Sequence, residues 1–73
     1  MGRKREMRIE DVRALLERRC REAGGQRAFA REHGLTVQHV NRVLHEGLAP
    51  VGRICDALGI EPAGMRWQVK RKG

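Results

Sequence analysis

From Ile9 onward, apolar residues recur at intervals of three and four: Ile9, Val12, Leu15, Leu16, Cys20 and Ala23. That spacing puts one stripe on one side of an α-helix and leaves Arg13, Glu17, Arg18 and Arg21 outside. Glu10 and Asp11 in the first turn suit the positive end of the helix dipole. Gly24-Gly25 ends the helix, because glycine takes the left-handed conformation of a C-terminal cap. A second, short helix is predicted over Gln26 to His33, with Phe29 and Ala30 inward and Gly34 as its stop. Thr36 has the hydroxyl to cap a third helix, Val37 to His45, whose inward residues are Val40, Val43 and Leu44. Gly47 stands just beyond as a C-cap. Pro50 suits the first turn of a fourth helix carrying Val51, Ile54, Cys55 and Leu58 up to Gly59.

After Glu61-Pro62 the period changes. Met65, Trp67 and Val69 alternate with Arg66, Gln68 and Lys70, which predicts a short strand. A lone strand needs a partner. The N-terminal segment around Met7 to Ile9 and a second copy of the chain both qualify. Trp67 accordingly has two readings, as cover for the end of a thin core or as part of a dimer interface.

The segment from Gln26 to His45 reads QRAFAREHGLTVQHVNRVLH. Two short helices crossing at roughly 90–120° over a tight turn need a small residue where their backbones approach, and Ala30 supplies it. Gly34 gives the turn a position where positive φ costs little. Val40 and Val43 then fill the space between the helices. With those residues inward, Thr36, Val37, Gln38, Asn41, Arg42 and His45 project outward. Such a face can enter a DNA major groove.

Length sets bounds on everything else. Seventy-three residues make one domain, and a chain of this size buries only roughly 60 % of its unfolded surface. Residues 1–8 read as a loose basic arm, 9–60 as the main domain and 61–73 as a strand or basic tail. The net charge is +7, which attracts polyanions. Arg3, Lys4, Arg5, Arg8, Arg66, Lys70, Arg71 and Lys72 are half of the 16 basic residues and lie near the two ends. They are either solvated ends or arms that touch phosphates. With Phe29 and Trp67 as the whole aromatic content, no stacking platform for single strands is expected.

Several functions are disfavoured. Cys20 and Cys55 make no disulfide framework and fall on apolar helical faces, so buried thiols are expected. His33, His39 and His45 are six apart, whereas two histidines on one helix share a metal at a spacing of three or four; no metal or other cofactor is expected. No nucleophile–base pairing or phosphate loop points to an enzyme, and no small-molecule ligand is expected. No run is long enough to span a membrane and no apolar segment follows the charged N-terminus, so a cytoplasmic protein is expected.

The chain resembles the phage repressor and Cro family of helix-turn-helix proteins over about Ile9 to Ile60. The resemblance rests on Gln26, Ala30, Gly34-Leu35-Thr36, Val40 and Val43-Leu44, then Pro50 and Ala57-Leu58-Gly59-Ile60. It implies a mainly α, lambda-repressor-like domain of four to five helices, here with a short C-terminal strand. It also implies a transcriptional regulator that binds a double-stranded DNA operator, usually as a homodimer. By position, Gln26, Thr36 and His45 would contact phosphates. Val37, Gln38 and Arg42 would face bases, with Asn41 next. Gln38 can pair with adenine N6 and N7, Arg42 with guanine O6 and N7, and Val37 can meet a thymine methyl. The chain departs from the family at Val37, where a polar residue is commoner, and at Gly47-Leu48-Ala49, which replaces an often basic stretch. The alternative is the DNA-binding antitoxin of a toxin–antitoxin pair; the short segment after Glu61 favours the repressor.

Overall fold

In the computed structural model, which describes residues 6–64 and 66–69, strand β1 (Glu6–Met7) leads into helix α1 (Ile9–Ala23). Helices α2 (Gln26–Glu32), α3 (Val37–His45) and α4 (Arg53–Leu58) follow, then strands β2 (Ile60–Ala63) and β3 (Arg66–Val69). The described residues are mainly helical, and their three strands form an antiparallel sheet in the order β1-β3-β2.

The stripe on α1 folds as its spacing predicts except at Ile9, which is half-buried at the first turn and not part of the core. Val12, Leu16 and Cys20 are buried, while Leu15 and Ala23 pack against the core from its margin. At the N-terminus Arg8 N donates to Asp11 Oδ2 at 3.0 Å, so an acidic side chain satisfies one of the free N–H groups there. Gly24 (φ 104°) closes the helix, and Gly25 N donates back to Cys20 O at 2.7 Å. Arg13 is the exception on this helix: it is half-buried, not outside. Phe29 and Ala30 of α2 are buried against Val40 and Val43 of α3 and Ile54, Cys55, Leu58 and Ile60 beyond them, in one continuous core.

Helix α4 is shorter than its apolar pattern predicts. It begins at Arg53, and Pro50 lies before it, buried in the loop that follows α3. Gly52 has φ 66° and ψ −131°, which cannot be extended into a helix, so the preceding turn stays open. Tertiary contacts hold that turn. Pro50 O accepts from both Cys55 Sγ (3.3 Å) and Trp67 Nε1 (3.0 Å). Val51, expected on the inner face, is 57 % exposed as a result.

The sheet adds a strand that the alternation alone does not predict. Ile60–Ala63 pairs with β3 in the register Ile60↔Val69, Glu61↔Gln68, Pro62↔Trp67 and Ala63↔Arg66. Pro62 is tolerated because β2 is an edge strand. On the other side of β3, Glu6 faces Gln68 and Met7 faces Trp67. Of the two partners the sequence allows for β3, the N-terminal segment is the one observed, and Ile9 itself belongs to α1. Trp67 is half-buried against the core of its own chain. Met65, part of the predicted alternation, lies outside the described residues.

Both cysteines are free and buried. Burial, first, and the neighbouring Glu17 push the Cys20 thiol up; burial and Asp56 do the same at Cys55, against a smaller downward pull from Trp67. Both thiols therefore stay protonated near neutrality and behave as small apolar side chains.

Candidate nucleic-acid interface

Helix α3 is built with two unlike sides. Val40 and Val43 are 0 % exposed, and Leu44 packs at the core margin. Thr36, Gln38, Arg42 and His45 are exposed on the surface, and Val37 is 40 % exposed. The side is fixed by packing: turning the helix to hide Val37 would bring Val40 and Val43 into water, at about 1.5–3 kcal/mol each.

The start of α3 is capped as the sequence predicts, with Thr36 Oγ1 accepting from His39 N at 3.0 Å. That leaves the Thr36 hydroxyl proton free to donate outward, the chemistry a phosphate oxygen needs. Before it, Leu35 N donates to Ala30 O at 2.8 Å across the turn, and Gly34 sits at φ 67°. Arg53 Nη1 donates to Gly34 O at 3.3 Å, tying α4 to the same turn. Neither periodicity nor spacing singles out Arg53; its role follows from where Gly52 starts α4.

Gln26 and Asn41 meet. Asn41 Nδ2 donates to Gln26 Oε1 at 3.5 Å, so the first residue of α2 braces the middle of α3. Both side chains are half-buried, which makes Asn41 the least accessible of the four residues assigned to bases. Gln26 keeps its own NH₂ free of that bond and can still donate to an anion. Arg42 Nε lies 4.0 Å from Glu46 Oε1, one turn on, with both side chains more than half exposed. A surface pair of that length is worth little and yields readily to a better partner. Val37, Gln38, Arg42 and His45 thus form one accessible face, with Thr36 at its start and the half-buried Asn41 between Val37 and His45.

The two ends differ from their reading as free arms where they are described. Arg66 Nη1 is bound to Glu6 Oε1 at 2.8 Å, and Glu6 itself belongs to β1. Arg8 is exposed at the start of α1. Arg3, Lys4, Arg5, Lys70, Arg71 and Lys72 lie outside the described residues.

Among the described residues, no three His, Cys, Asp or Glu side chains are grouped to hold a metal ion, and no helix is long and apolar enough to cross a membrane. An open groove of about 810 Å³ runs between α1 and the sheet, past Met7, Leu15, Leu58, Ile60 and Val69; it includes no residue of α2 or α3. Comparison with protein-family models, with curated proteins and with solved structures returns no match.

Proposed function

We propose that this chain is a sequence-specific regulator that binds double-stranded DNA in the manner of the phage repressor and Cro proteins it resembles. The α2–α3 pair is the helix-turn-helix, and α3 enters the major groove. The observation that carries this reading is the division of α3. Val40 and Val43 lock one side into the core, so Val37, Gln38 and Arg42 stand clear on the other.

On this reading each outward residue has a task. Arg42 gives up its loose pair with Glu46 for guanine O6 and N7, Gln38 takes adenine N6 and N7, and Val37 packs on a thymine methyl. Asn41, braced by Gln26, makes the remaining base contact. Gln26, Thr36 and His45 fix the helix to the backbone phosphates without reading sequence. The protein acts by occupying an operator and not by catalysis, with no cofactor or small ligand, in the cytoplasm of a bacterial host.

A homodimer places two copies of α3 about 34 Å apart in successive major grooves. The two edges of β3 are taken by β1 and β2, so such a dimer uses another surface than the edge of residues 66–69. Selection of bound sites from a random duplex pool tests the proposal. A short enriched motif, repeated as a near-palindrome with centres about one helical turn apart, is the expected result. A pool that stays unenriched while the protein is folded contradicts it.

A further inference from the structure

The loop that follows α3, residues 46–52, has no cation of its own. It reads Glu46-Gly47-Leu48-Ala49-Pro50-Val51-Gly52, and its single charge is negative. A duplex seated on the outer row of α3 would pass its backbone over this loop just beyond His45. A surface without a cation there would leave the passing phosphates uncompensated.

A cation from α1 lies against this loop. Arg13 follows the fully buried Val12 and is itself half-buried. Its Nη2 stands 3.5 Å from where a Cβ at Gly47 would lie. Gly47, at φ 73°, is a position that disfavours any larger residue, and the guanidinium lies in the space beside it. Arg13 Nε is buried with no hydrogen-bond partner, and among the described residues no carboxylate pairs with Arg13. The Arg13 charge is thus left without a partner among the described residues, and its Nη2, at the Gly47 end, is the donor nearest the loop. Beside it, Arg8, Arg66, Gly47 and Ala49 line a shallow cavity of about 390 Å³, together with Glu10 and Trp67. Arg66 is already held by Glu6, so it shapes the cavity more than it charges it.

We infer that Arg13 is a phosphate-binding residue that reaches from α1 to the loop beyond α3, where it holds one backbone phosphate of the duplex. The inference rests on the DNA-binding reading. The guanidinium fork matches a phosphate's oxygens in geometry and charge. It carries no base information and adds affinity to every sequence alike.

The test compares wild type with Arg13→Gln, which stays polar but loses the charge, and Arg13→Lys, which keeps the charge. Binding is measured against salt on the selected operator and on an unrelated duplex of equal length. On both duplexes Arg13→Gln is expected to make the slope of log K against log [salt] shallower by about 0.9, the loss of one neutralised phosphate, and Arg13→Lys to restore it. Base preference stays unchanged. On operators carrying single neutral methylphosphonates, wild type weakens at one phosphate to which Arg13→Gln is indifferent. An Arg13→Gln protein that is folded by circular dichroism and keeps the wild-type slope and every phosphate sensitivity overturns the inference. A shallower slope on both duplexes without any enriched operator retains the phosphate contact and removes the readout. Absence of binding to any duplex removes both.

Discussion

The α2–α3 pair and the three-stranded sheet stand at opposite ends of sequence distance. The helices close on each other within the stretch from Gln26 to His45, and each joint is local: Thr36 to His39, Leu35 to Ala30, Asn41 to Gln26. The sheet joins Glu6 to Gln68 and Met7 to Trp67, almost the two ends of the chain. One region is specified by neighbours, the other by the closure of everything between its strands. The residues proposed to face bases lie in the local region, on a helix whose other side, at Val40 and Val43, is held by the shared core. The sheet instead fixes the loop after α3, through Trp67 and Pro50.

Both regions depend on one buried side chain. Phe29 is the largest fully buried side chain, in the same core as Leu16 and Ile60. Phe29→Ala is expected to cost about 3–5 kcal/mol. For so small a domain that approaches the whole of its stability. Urea unfolding followed by circular dichroism and by Trp67 fluorescence checks it, and the two probes should move together, because helices and sheet share this core.

A smaller change sharpens the contrast. Trp67→Phe removes the N–H that donates to Pro50 O but leaves that carbonyl its bond from Cys55 Sγ. No acceptor is orphaned, so the expected loss is about 1 kcal/mol, read from the urea midpoint by circular dichroism. Because α3 and its cap are untouched, base preference on a selected operator should be that of wild type. A changed preference would mean that the sheet shapes the readout face and that the two regions are not separable.

How far each region could be read from the chain follows the same division. The 3.6-residue period at Val12, Leu16 and Cys20, and the small-residue spacing of Ala30, Gly34, Val40 and Val43, state which sides turn inward. They place α3 with its observed bounds, α2 within one residue of its end, and α1 with its observed end at Ala23 and its start within a turn, since no Ser, Thr or Asn precedes Ile9 to mark it. The outward row on α3 follows by subtraction. The period-two alternation places β3 but cannot name its partners, since pairing is a long-range choice. Strand β2 has no alternation of its own, and Pro62 speaks against it unless the strand is known to be an edge. The start of α4 shifts from Pro50 to Arg53 because Gly52 takes a positive φ and the buried Pro50 carbonyl serves Trp67, a residue far along the chain. Arg13 departs from its predicted exposed position for a related reason. Its helix places it correctly by period, but the loop it meets arrives from Gly47.

On the proposed reading the face held outward by Val40 and Val43 reads DNA sequence, with Arg42 assigned to guanine O6 and N7. Binding of Arg42→Ala to a selected operator and to all its single-base-pair variants measures this most directly. Discrimination is expected to disappear at one base-pair position, by about 1–3 kcal/mol, and to persist at the others. An Arg42→Ala protein whose preference matches wild type at every position would contradict that reading.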